Sequence, residues 1–155
     1  MAGAALALAL PAWSALLAGN NVRITGLSDV AFGTVANLST DWTRSQNICV
    51  YSNSPTRGYH VQATGSGSGG AFALASGSNA LAYEVEWNPV SGQSTGTTLS
   101  PNVALTGQVS SATQQSCNSG PATSASLIII LRSAQLSAAR AGTYSGTLTL
   151  LVAPE

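Results

Sequence analysis

Alternation of apolar and polar side chains is the dominant pattern of this chain. In Leu81-Ala82-Tyr83-Glu84-Val85-Glu86-Trp87 the large apolar residues take the odd positions while Glu84 and Glu86 point the other way, the period-two signature of a half-buried strand. Tyr59, Val61 and Ala63 alternate with His60, Gln62 and Thr64. Near the end, Tyr144, Leu148, Leu150 and Val152 alternate with Thr143, Ser145, Thr147 and Thr149, interrupted on the apolar face only by Gly146. The same reasoning predicts strands over residues 22–26, 30–35, 46–52, 71–75, 103–106 and 126–132. The last of these is continuously apolar at 127–131, as expected of a strand covered on both faces. Downstream of the N-terminal run, only residues 134–139 carry helix formers at helical spacing.

Turn signals separate these segments: Asn53-Ser54-Pro55, Gly77-Ser78-Asn79, Asn88-Pro89 and Ser119-Gly120-Pro121. The Gly and Ser run over residues 65–70 is short enough to connect its flanking strands as a hairpin. No internal repeat or interdomain linker interrupts the chain. Many short strands at a spacing of about ten residues predict an all-β, antiparallel sandwich or barrel in one domain.

Composition narrows the function. Of 155 residues, five are basic and five acidic, and the basic ones, all Arg, are scattered. That removes the clustered cationic charge with which proteins hold nucleic acid or an anionic membrane surface. Charged residues make up 6% of the chain, against roughly 25% in an average soluble domain, so solubility rests on Ser, Thr, Asn, Gln and Gly. One His and two Cys are too few for a conventional metal cage or a His-based triad, and no cofactor or enzymatic activity is expected.

The apolar run at 2–10, Pro11 and the small-residue stretch Ala12-Trp13-Ser14 read as a secretory signal cleaved after Ser14, which leaves residues 15–155 as one exported domain. Export gives Cys49 and Cys117 an oxidising compartment in which to pair, the alternative being two separate buried thiols. Such a bridge would tie a polar loop to the strand Ile48-Cys49-Val50-Tyr51 and stabilise by roughly 4 kcal/mol in the chain-entropy model.

Three groups could carry chemistry. Glu84 and Glu86 could bring two carboxylates to roughly 7 Å, but a glycosidase pair flanks its bond from different elements, and a solvated strand face explains both. His60 has no nucleophile or orienting acid beside it, and the Gly65–Gly70 run lacks the Lys and following helix of a phosphate loop. Trp42, in the loop-like Ser39-Thr40-Asp41-Trp42-Thr43, is the aromatic best placed for surface ligand contact. Trp87 falls in register with core positions.

Four motifs together resemble the spore coat U domain family, which includes the subunits of archaic, Csu-type chaperone-usher pili. They are Phe32-Gly33-Thr34, the cysteine-bearing strand at 48–51, the strand Leu81-Ala82-Tyr83-Glu84-Val85, and the ending Ala141-Gly142-Thr143-Tyr144-Ser145-Gly146-Thr147-Leu148-Thr149-Leu150. The resemblance implies an immunoglobulin-like, pilin-like β-sandwich lacking one strand. It further implies a groove lined by Tyr144, Leu148, Leu150 and Val152 that takes a strand first from a periplasmic chaperone and then from a neighbouring subunit, at an outer-membrane usher. Periplasm, then fimbria on the surface of a Gram-negative bacterium, is the implied route. Family members carry a longer donor segment and a Cys before the Phe-Gly motif. Here residues 15–27 hold no Cys, and Val22, Ile24 and Leu27 are needed in the domain's own first strand, which points to a terminal or minor subunit. The competing expectation is a self-contained secreted sandwich that binds a glycan or surface through loop aromatics such as Trp42.

Overall fold

The computed structural model describes residues 19–118 and 120–155; the expected leader at 1–14 lies outside the described residues. Ten strands follow in chain order: β1 (Val22–Thr25), β2 (Trp42–Ser52), β3 (Gly58–Gly65), β4 (Ala73–Ser76), β5 (Asn79–Ala82), β6 (Glu84–Asn88), β7 (Thr97–Thr98), β8 (Ala104–Val109), β9 (Ala125–Leu131) and β10 (Leu148–Pro154). One short helix, α1 (Ser133–Ala138), lies between β9 and β10. All pairings are antiparallel. They form a five-stranded sheet in the order β1-β2-β9-β6-β7, a three-stranded sheet β10-β3-β8, and the hairpin β4-β5. This is the expected all-β, immunoglobulin-like sandwich.

The core lies between the two larger sheets because alternate residues of each turn inward. Ile48 and Val50 of β2, Val85 and Trp87 of β6, and Leu127 and Ile129 of β9 meet Tyr59, Val61 and Ala63 of β3. Trp87 is fully buried, and its indole N–H donates to the Tyr59 hydroxyl at 3.2 Å. The two rings meet edge to face, with centroids 6.3 Å apart. Burial pushes the Tyr59 pKa up to about 12, since a phenolate there would lose its hydration. In the unfolded chain the phenol ionises near its ordinary value of 10.0. The folded state therefore holds its proton longer, and Tyr59 stabilises fully below pH 10, with that contribution falling away as pH rises toward 12. About 3 kcal/mol of stability should disappear across that window; denaturant titrations at stepped pH should show the loss in the wild type and a smaller one in Tyr59→Phe.

β9 is apolar from Leu127 to Leu131 because both its faces are buried: Ile128 and Ile130, on the outer face of the five-stranded sheet, are as buried as the inward residues. Their cross-strand neighbours are Ser45 and Glu86 for Ile128, and Thr43 and Glu84 for Ile130. Farther along β2, the outward-facing Cys49 is bonded to Cys117, with the two Cα atoms 6.1 Å apart. The bond holds the chain around Cys117 over the sheet, where buried Ser110 and Ser124 both donate to the Val50 carbonyl and the Ser124 hydroxyl accepts from the Val50 N–H.

Several local expectations are corrected. Leu81 to Trp87 is not one strand: at Tyr83 the chain changes partner, its N–H donating to the Phe72 carbonyl at 3.0 Å, so β5 pairs with β4 and β6 with β9. The Gly and Ser run does not close a hairpin, because β3 pairs with β10 and β8 and β4 turns to β5. Residues 30–35 form no strand, and Trp42 opens β2 because β9 offers a ladder partner as far out as Leu131. Gly146, the gap in the last apolar alternation, sits where a Cβ would lie 3.1 Å from the Ala73 carbonyl oxygen.

Candidate functional site

Among the described residues, the three-stranded sheet leaves two edges unpaired, one on β10 and one on β8. The β8 edge is irregular, with a register shift opposite Tyr59 and Val61 and Gly107 at a φ of 72°. The β10 edge is regular: all seven residues, Leu148 to Pro154, pair with β3 in unbroken register. On the five-stranded sheet, β1 covers β2 only from Cys49 to Ser52, so among the described residues the first half of β2 also lacks a ladder partner on that side.

Between these open edges lies a cleft of about 380 Å³. Leu148 and Leu150 of β10 form one wall, Leu127, Ile129 and Leu131 of β9 the floor, and Gln46 of β2 lies on the opposite side with residues 27–32. Leu148, Leu150 and Val152 remain half-buried, whereas Tyr59, Val61 and Ala63, the inward set of the neighbouring strand, are completely buried. One side of each β10 residue thus lacks the packing that its neighbours enjoy.

The expected set of four is divided. Leu148 and Leu150 line this cleft, Tyr144 lines an adjoining cavity of about 940 Å³, and Val152 packs on the core without lining either. Tyr144 lies outside β10, where the preceding chain leaves β3 and exchanges hydrogen bonds with β4 between Ser145 and Ala75. The floor from β9 was not visible in sequence, since apolarity marks a strand as buried without saying which strand it faces.

Trp42 is half-buried on β2, packs on the core and donates its indole N–H to the Asn37 carbonyl at 2.8 Å. It is therefore no free loop side chain, although one face of its ring lies 6.0 Å from the Arg44 guanidinium. Glu84 and Glu86 are engaged separately. Glu84 accepts from Arg132, which also bonds Asp41 at 2.9 Å, and Glu86 accepts from the Gly96 N–H at 2.8 Å. Bonds from the Ser133 N–H and Arg132 hold the Asp41 carboxyl below its ordinary pKa, so this cluster fastens the start of β2 to the end of β9 in ionised form. His60 Nδ1 stands 3.7 Å from the Glu155 carboxylate. Among the described residues no group of three His, Cys, Asp or Glu could hold a metal ion, and no helix is long and apolar enough to cross a membrane.

The sequence matches no family model and no curated protein. The fold is similar to that of a chain in the chaperone–tip adhesin complex of CFA/I fimbriae, with a TM-score of 0.55 and 18% identity over 87% of this chain and 42% of the other. A chain of the CsuC–CsuE chaperone–tip adhesion subunit pre-assembly complex, from archaic chaperone-usher Csu pili of Acinetobacter baumannii, aligns with a TM-score of 0.46 and 22% identity, over 86% of this chain and 39% of that one. This chain spans about two fifths of the length of either. The first likeness places the sandwich among known architectures.

Proposed function

We propose that this chain is an exported, pilus-associated subunit of the spore coat U, Csu-type kind, whose activity is to accept a strand from a partner along the open edge of β10. The observation that carries this reading is the regular β10 edge, unpaired among the described residues, beside an apolar cleft. Every second residue from Leu148 to Pro154 turns its main-chain groups to that edge, and the cleft below it is lined by Leu148, Leu150, Leu127 and Ile129. An added strand would satisfy the edge through backbone hydrogen bonds, and every second side chain would enter the cleft. A periplasmic chaperone would supply that strand first and a neighbouring subunit afterwards, at an outer-membrane usher. The fimbrial complexes with comparable folds support the reading as analogy. Val22 and Ile24 are engaged by β2 within the domain's own sheet, so these two side chains are not free to donate; a terminal or minor place in the pilus is part of the proposal. No step of it requires a cofactor or turnover.

The test is linkage between strand binding and stability. A synthetic peptide alternating Val with Thr, added to the purified protein at about a hundred times its dissociation constant, should raise the unfolding free energy by roughly 3 kcal/mol. A peptide of the same composition in scrambled order should not. Denaturation curves unmoved by saturating amounts of the alternating peptide would remove the acceptor function.

A further inference from the structure

Across the cleft lies a stretch of this chain that is held in an unusual way. Residues 26–41 belong to no helix or strand, and among the described residues they make no backbone-to-backbone hydrogen bond. Side chains of β2 hold the stretch instead. Gln46 grips the main chain of Ser28 as a second strand would: its Oε1 accepts from the Ser28 N–H at 3.0 Å, and its Nε2 donates to the Ser28 carbonyl at 3.2 Å. The Arg44 guanidinium stands 5.7 Å from the centre of the Phe32 ring, and the Trp42 indole N–H donates to the Asn37 carbonyl. Trp42, Arg44 and Gln46 are alternate residues of one strand and share its inward-facing register with Ile48 and Val50. Their partners run Asn37, Phe32, Ser28, so the stretch lies antiparallel to β2 and is fastened at three points.

The cover fits poorly. Leu27, Val30 and Leu38 are 46%, 36% and 42% exposed, while the cleft beneath keeps its volume of about 380 Å³. A stretch this apolar would turn those side chains inward if it had the strand geometry to do so, and Gly33, at a φ of 68°, breaks that geometry. The stretch thus lies along the cleft without closing it, and without the backbone ladder that would fix it there.

We infer that residues 27–38 are a displaceable placeholder over the strand-accepting cleft, released when the Gln46–Ser28, Arg44–Phe32 and Trp42–Asn37 contacts open ahead of an incoming strand. The inference rests on the acceptor reading above. It adds that strand capture is gated by this chain itself, because the gate's contacts must break before the cleft is free.

Two variants break the same contact from opposite sides. Gln46→Ala removes the grip from β2, and Ser28→Pro removes the N–H that Gln46 accepts while leaving β2 intact. The probe is the alternating Val and Thr peptide carrying a fluorophore, with capture followed by anisotropy after rapid mixing. Loss of this hydrogen-bonded grip should speed association roughly tenfold. If Gln46→Ala fails to fold, the exposed Ser28→Pro decides. Wild-type association rates in a folded variant that still binds the peptide would overturn the placeholder and leave the acceptor reading standing. A wild-type protein that never captures the peptide would remove the acceptor reading, and the placeholder with it.

Discussion

Leu150→Arg should abolish strand capture, whereas Leu151→Arg, one residue along, should leave it untouched. The contrast follows from the pleat. Leu150 points into the cleft and is half-buried, while Leu151 points away from it and is 54% exposed. A guanidinium at position 150 would have to lose its hydration each time a donor strand closed over it. Transfer of an unpaired charge into such surroundings costs several kcal/mol, enough to weaken peptide affinity by more than roughly a hundredfold. Before capture the Arg side chain can extend to solvent through the open cleft, so the isolated domain should still fold, and the edge-to-face pair of Trp87 and Tyr59 should keep its near-ultraviolet signal. Equal affinities for the two variants would mean that the strand docks elsewhere. In cells, the same substitution should prevent surface display of the chain, and Leu151→Arg should not.

The second large effect concerns the bond between Cys49 and Cys117, which are 68 residues apart in sequence. Replacing both by Ser should lower the unfolding free energy by about 4 kcal/mol, through the chain freedom that the bond withholds from the unfolded state. The midpoint of thermal unfolding should fall by roughly 10 °C. The loss has a definite place in the fold. Residues 110–118 and 120–124 lie over the outer face of β2 on the disulfide and on the hydroxyls of Ser110 and Ser124, which converge on Val50. Without the bond that stretch opens first, so the Val50 and Ser124 amides, the latter bonded to the Ile48 carbonyl, should lose hydrogen-exchange protection before those of β3. A double Ser variant that melts with the wild type would show that the two buried hydroxyls suffice.

Much of this was legible in the sequence because a strand's side-chain period is fixed by its backbone. The alternations at 59–64 and near the end became β3 and β10, and the run rich in helix formers became α1. What could not be read was partnership. Residues 30–35 have the composition of a strand, yet none forms, since a strand exists only where a neighbour offers a ladder, and Gly33 turns the chain away. Trp42 was misplaced for the opposite reason: Ser39, Thr40 and Asp41 look like a loop, but β9 extends far enough to recruit Trp42 into β2. The continuous apolarity of residues 127–131 correctly signalled burial of both faces, although on the outer face their cross-strand neighbours are the polar Glu84, Glu86, Thr43 and Ser45. For the cleft, the wall at Leu148 and Leu150 could be named in advance. Its floor at Leu127, Ile129 and Leu131 and its cover at 27–38 depend on topology, which local spacing does not encode.

The two exposed margins of the small sheet are unequal, and the inequality has a geometric consequence. The margin formed by β8 is bent by its shifted register and by Gly107, whose N–H is already committed to the Glu155 carboxylate at 2.8 Å. Only the straight margin suits lateral addition. Two copies meeting margin to margin there would close a two-fold pair with no second straight edge left to extend, so growth beyond a pair needs a strand from a different segment or molecule.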